Sequence, residues 1–211
     1  MGLATALLLT AHAQAAGHVD VTGGTQFPVT MGGGIRCEGA SRLQVSAAAG
    51  AIPEAYVDTL ESALGYAGMA EDIGVVADAM LTRAPYVHLG VGWRPFAERG
   101  LTLAAGHQTL WLEGAADEIE IEGYTLDADV SLASRLRLVT AELRVDRPIG
   151  EHLLVSWSLG GMKVIDADST LSLPDGISSA ELDTAVASLD TFYEDHFATP
   201  TVGLAVGYRF F

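Results

Sequence analysis

The chain has 211 residues, 49% hydrophobic and only 18% charged, yet Asp and Glu outnumber Lys and Arg by 27 to 11, for a formal net charge of −16. This apolar content excludes the disordered class, and the shortage of bases excludes a nucleic-acid binder, whose phosphate contacts need Lys and Arg. A single cysteine, Cys37, excludes an internal disulfide framework and a cysteine-built zinc site, and reads as a small apolar residue.

Residues 1–16, MGLATALLLTAHAQAA, join an apolar run to the small-residue patterns Ala11-His12-Ala13 and Ala13-Gln14-Ala15. These are features of a secretory signal peptide, without the positive charge that normally opens one. The expected organisation is a signal peptide over 1–15, with its start upstream, and one domain over 16–211; the alternative is that 3–14 belong to the fold. No other stretch carries the 18 or more apolar residues of a spanning helix, so a membrane location requires a barrel.

From there the dominant signal is alternation. Phe27, Val29, Met31 and Ile35 alternate with Thr30, Gly32, Gly34 and Arg36; Leu43, Val45, Ala47 and Ala49 with Arg42, Gln44, Ser46 and Ala48. In residues 86–96, Val87, Leu89, Val91 and Trp93 oppose His88, Gly90, Gly92 and Arg94. Leu101, Leu103 and Ala105 begin the next such run, Val139, Ala141, Leu143 and Val145 the next, and Leu153, Val155, Trp157 and Leu159 the one after. Val202, Leu204, Val206, Tyr208 and Phe210 close the series against Thr201, Gly203, Ala205, Gly207 and Arg209. Period two means strands. A soluble sandwich would decorate its second face with charges for water, whereas here that face is Gly, Ala, Ser and Thr with isolated arginines. The split suits a barrel with lipid outside and a narrow lumen inside.

Between the strands, three connections are short, 38–41, 97–99 and 148–151, and three are long, 53–85, 113–131 and 166–200. That is the sidedness of an outer-membrane barrel, with short turns towards the periplasm and long loops outside. The long stretches hold 21 of the 27 carboxylates and one base, Arg83; most other bases flank the short turns. Acidic loops stay solvated and also offer carboxylates to divalent cations, although Asp127-Ala128-Asp129 and Asp166-Ala167-Asp168 are too sparse to make a site. Residues 178–193 read as a helix, opened by Ser178 and Glu181 in capping-box spacing, with Leu182, Val186, Leu189 and Phe192 or Tyr193 on one stripe. Residues 55–64 and 72–81 show a weaker helical pattern.

The ending Gly207-Tyr208-Arg209-Phe210-Phe211, echoed by Gly92-Trp93-Arg94-Pro95-Phe96, resembles the C-terminal signature of bacterial outer-membrane β-barrel proteins of the small OmpA- or OmpW-like type. The resemblance spans 27–211 in pattern. It implies an all-β fold, an antiparallel transmembrane β-barrel of about eight strands with helical segments in long external loops. It also implies a bacterial outer-membrane location, with Tyr208, Phe210 and Phe211 read by the barrel-assembly machinery. Seven strands are legible and such barrels have an even number, so an eighth is expected in 14–26 or within 53–85.

Inside such a barrel, Arg94, Glu142, Arg144 and Arg209, with Arg36 and Arg42, are expected to cluster towards the periplasmic end as an ion-pair network. The partners expected are outer-membrane lipids and lipopolysaccharide, and no cofactor is called for. A rim enzyme would need a histidine beside a nucleophile or carboxylate. Of the candidates His88, His107, His152 and the pair Asp195-His196, His107 lacks a neighbouring nucleophile in a recognisable motif, His152 sits by a turn at the wrong end, and in Asp195-His196 adjacent side chains diverge. The function expected is therefore structural or surface-interacting, without catalysis; the alternative is a small-ligand or narrow-channel barrel gated by helical loops.

Overall fold

The computed structural model describes residues 17–27, 30–53, 81–96, 100–121, 124–172 and 179–210. Alternation of large apolar with small or polar residues produces nine strands among them: β1 (His18–Phe27), β2 (Thr30–Glu38), β3 (Leu43–Ala51), β4 (Leu81–Arg83), β5 (Pro85–Trp93), β6 (Leu101–Ile121), β7 (Tyr124–Ile149), β8 (Leu153–Ser172) and β9 (Ala198–Phe210). The short β4 precedes β5 by one residue and joins the same neighbour, β6. Every pairing is antiparallel, and β1 pairs with β9 while β6 pairs with β7, so eight strands close into a ring.

The eighth strand is β1, in the first of the two regions, 14–26 and 53–85, where it was expected. Phe27 ends β1 and does not begin β2, so the strand read from Phe27 is corrected to one that opens at Thr30. Following paired residues round the wall from Leu153 through Tyr208, Val21, Ile35, Ala47, Leu89, His107 and Val139 returns to β8 at Lys163, ten residues on. That stagger is the shear that closure of tilted strands requires.

The surface is inside out relative to a soluble protein. Leu89 (59%), Val91 (63%), Leu159 (61%), Val202 (57%) and Val206 (56%) are exposed, while Asp20, Arg36, Gln44, Thr102 and Asp146 are buried. Such a wall suits hydrocarbon, which solvates apolar side chains, while the closed ladder satisfies every spanning strand internally. Among the described residues no helix is long and apolar enough to cross a membrane.

Both described termini of the ring, His18 and Phe210, lie at one end with the turns β2–β3 and β7–β8. Gly150 turns the second of these at φ 70°, and Gly100, just before β6, adopts φ 64°. A side chain on Gly100 would be driven into the carbonyl of Asp146, whose own amide donates to Gly100 O at 2.9 Å.

At the opposite end two expectations are corrected. The stretch 113–131 is not a long loop: β6 runs on to Ile121 and β7 begins at Tyr124, leaving a two-residue connection at the tip of a long ladder. Likewise β8 continues to Ser172 within the stretch read as loop from 166. The β1–β2 connection at this end is also only two residues long, so external connections are not uniformly long. The helix expected over 178–193 is α1 (Ser179–His196), three residues longer at its C-terminus. Ser178, residues 1–16, Phe211 and the helical patterns over 55–64 and 72–81 lie outside the described residues, except Leu81, which opens β4 and is corrected from helix to strand.

Candidate functional site: the barrel lumen

Towards the termini the inward phase carries even-numbered residues on every spanning strand except β9, where it carries odd-numbered ones, and these assemble a floor of ion pairs. Asp146 of β7 is its centre: the Arg36 guanidinium donates to both carboxylate oxygens at 2.9 and 3.0 Å, Ser156 Oγ donates at 2.7 Å, and Arg94 lies at 3.3 Å. Arg94 also reaches Glu38 at 2.9 Å, and Glu38 accepts from Gln44 Nε2 at 2.7 Å. Arg144 pairs with Glu142 at 3.2 Å and donates to Gln44 Oε1 at 3.0 Å. Arg209 donates to both oxygens of Asp20 at 2.8 and 3.1 Å, and His18 approaches Asp20 at 3.5 Å and Glu38 at 3.7 Å.

Four arginines thus meet four carboxylates, Asp20, Glu38, Glu142 and Asp146, so these eight groups are neutral overall. Pairing is what makes such burial tolerable, since an isolated charge in this setting costs several kcal/mol. Of the residues expected here, Arg94, Glu142, Arg144 and Arg209 are all in the lumen. Arg42 is not: it sits exposed in the β2–β3 turn at φ 60°, donating to Pro95 O at 3.3 Å. Sequence reading missed Asp20, Glu38 and Asp146. Their signal was available, because they are three of only six carboxylates outside the long acidic stretches and each falls in the inward phase.

Above the floor the wall is lined by small residues, and a cavity of about 140 Å³ remains, bordered by Tyr86, His88, Gln108, Thr140, Glu142 and Arg144. His88 faces Thr140 Oγ1 at 3.2 Å. Its ring occupies the space beside Gly106, where a Cβ would strike it. Gln108 is 1% exposed and its Nε2 has no hydrogen-bond partner among the described residues.

At the end away from the termini the same inward phase turns apolar. Tyr86, Leu110, Leu136, Leu138, Met162 and Val164 form a buried cluster, with Leu112, Tyr193 and Phe197 against it. Two hydrogen bonds hold α1 there: Val164 N donates at 3.0 Å to the carbonyl of Phe197, the residue that follows the helix, and Ala167 N donates at 3.3 Å to the Glu194 side chain at Oε1. Burial pushes the Tyr193 phenol above its ordinary range, against the opposing effect of its hydrogen bond with Ser134.

The other histidines of the sequence reading are dispersed. His107 faces outward from β6, His152 stacks on Tyr208 at 5.2 Å, and His196 stacks on Phe192 at 5.1 Å. Tyr208 and Phe210 meet edge to face at 4.7 Å on the outer wall.

No family model matches this sequence, and no curated relative does. Among solved structures, the chain is similar to a major outer membrane protein from Thermus thermophilus, at 12% identity over 92% of this chain and 100% of that one, with a TM-score of 0.50. Matches of lower score are to CarO of Acinetobacter baumannii, at 14% identity over 92% of this chain and 97% of that one (TM-score 0.43), and to the N-terminal β-barrel domain of Pseudomonas aeruginosa OprF, at 12% over 92% and 96% (TM-score 0.39). Closure of eight antiparallel strands, a polar lumen and an apolar wall together make this the fold of a small outer-membrane β-barrel.

Proposed function

We propose that this chain resides in a bacterial outer membrane as a closed barrel with a structural or surface-interaction role, presenting its external ladder and connections, without catalysis. The observation that carries this reading is the lumen: charged side chains fill it at one end and an apolar cluster fills it at the other. Eight-stranded barrels are just wide enough for side chains to fill. In this reading the acidic external connections remain solvated or collect divalent cations, and lipids with lipopolysaccharide surround the wall. Tyr208, Phe210 and Phe211 serve barrel assembly, a role supported by the outward placement of the first two.

Planar-bilayer recording of the refolded chain tests the closed lumen. Silence at all voltages is expected, and stepwise ion currents would overturn it in favour of a narrow channel. That second reading has one specific support, the Gln108 amide that borders the cavity with no partner among the described residues.

A further inference from the structure

The outer wall is apolar almost everywhere, but one sector is not. Across β6, β7 and β8 three successive outward rows read His107, Val139, Lys163; then Thr109, Arg137, Asp166; then Trp111, Arg135, Asp168. A β-bulge creates the last two. Arg137 pairs with Asp166 and Leu138 with Val164, leaving Ile165 extra, so β8 changes phase and turns both aspartates outward against the arginines. Arg135 contacts Asp168 at 2.5 Å and Arg137 contacts Asp166 at 3.2 Å, all four side chains being between 44% and 59% exposed.

The height of this patch follows from the strand geometry. Lys163 lies ten residues above Leu153 on the same strand, and Leu153 adjoins Tyr208 at the lower edge of the wall. Ten residues at about 3.3 Å each, tilted by about 40°, rise roughly 25 Å, the height of the apolar band of an outer-membrane barrel. Lys163 and the two ion pairs therefore stand where hydrocarbon gives way to headgroups, at the end away from the termini.

Within these three rows the charge opposes that of the molecule, and the next outward row brings the exposed Glu113 beside Ala133 and Thr170. Against a net −16 for the chain, Lys163, Arg137 and Arg135 outnumber Asp166 and Asp168. Lys163 has no ion-pair partner among the described residues, and the Arg135 and Arg137 side chains are both 44% exposed, so each guanidinium has room for an acceptor besides its aspartate. The three rows cover about 10 Å across the strands and about 13 Å along them.

We propose that this sector is a docking surface for the phosphorylated saccharide headgroup of an outer-leaflet lipid of the lipid A type. One phosphate sits between Lys163 and Arg137, and a second reaches the open side of Arg135. The aspartates accept from sugar hydroxyls, and the Trp111 ring, directly opposite Arg135 in the ladder, supplies a flat face for a sugar. A rigid disaccharide with two phosphates matches this spread of donors and acceptors; a glycerophospholipid with one phosphate uses only part of it.

The proposal rests on the outer-membrane reading above, and heat-modifiable gel migration together with insertion into vesicles reports on that reading separately. The test is native mass spectrometry of the full chain refolded in a neutral detergent and titrated with bis-phosphorylated lipid A, the same lipid dephosphorylated, and phosphatidylglycerol. Lipid A with its phosphates is expected to bind at least about tenfold more tightly than either comparison lipid. Lys163→Ala combined with Arg137→Ala should erase that margin, whereas Arg42→Ala, at the opposite end, should leave it intact. Equal binding of the dephosphorylated lipid would overturn the proposal, equal binding of phosphatidylglycerol would overturn the saccharide assignment, and an unchanged margin in the double variant would overturn the location. Should the double variant fail the gel test, Lys163→Gln alone leaves both ion pairs in place, and an undiminished margin there would equally overturn the site.

Discussion

The lumen near the termini and the lumen near α1 are enclosed by the same ring of strands, yet the first is filled by four arginines with four carboxylates and the second by Leu110, Leu136, Leu138, Met162 and Val164. Apolar packing fills space without direction, and tolerates adjustment of its neighbours. The ion-pair floor is directional: Asp146 is shared among Arg36, Arg94 and Ser156, so removing one member strands the others in a buried site. Directional pairing at the floor therefore favours one register of the strands, while the cluster seats the external helix through Tyr193 and the adjoining Phe197.

Mutations separate these two roles. Asp146→Ala should give the largest effect, a loss of about 3–5 kcal/mol, because Arg36 then loses its carboxylate partner and Arg94 one of two. Urea unfolding in lipid vesicles measures it, and a cost below about 1 kcal/mol would place the floor among solvated surface pairs. Removing Arg36 together with Asp146 should cost less than the two single losses combined, since the pair is coupled.

Leu136→Ala comes next. Leu136 is fully buried in the cluster, and truncation there is expected to cost about 2–5 kcal/mol. The same unfolding measurement applies, read beside proteolysis of the α1 segment. If α1 becomes cleavable in Asp146→Ala but not in Leu136→Ala, the division of roles between the ends is reversed.

The smallest effect concerns pH at the α1 end. With its phenol raised by burial, Tyr193 favours the fold in its neutral form. Its contribution is complete below the ordinary tyrosine value of about 10 and is lost as pH rises through the raised folded value. Alkali should therefore loosen α1 before the floor responds, and Tyr193→Phe should abolish that step. Limited proteolysis across an alkaline series checks it; release below the ordinary tyrosine value would show that another group governs docking.

Much of the wall is legible in the sequence because each spanning side chain meets one of two environments, and Val87, Leu89, Val91 and Trp93 differ from His88, Gly90 and Gly92 accordingly. Beyond the membrane that contrast fails, and with it the reading of residues 113–131 as an acidic loop. Glu118-Ile119-Glu120-Ile121 does alternate with period two, but the density of carboxylates outweighs the period. The Arg-Leu-Arg of β7 and the Asp-Ala-Asp of β8 give no sign of meeting, because their pairing depends on a bulge at Ile165 that composition does not encode.

By itself, then, the sequence determined which face of the seven legible strands meets lipid, that the crossing elements are strands, and that aromatic residues end the last one, since all of these follow from local period and residue size. Only the tertiary structure decided which carboxylate serves which arginine. Arg36 and Asp146 stand 110 residues apart, and Asp20 and Arg209 stand 189 apart. Closure of a tilted, staggered ring is what brings such residues to one level, and stagger is a property of all eight strands together.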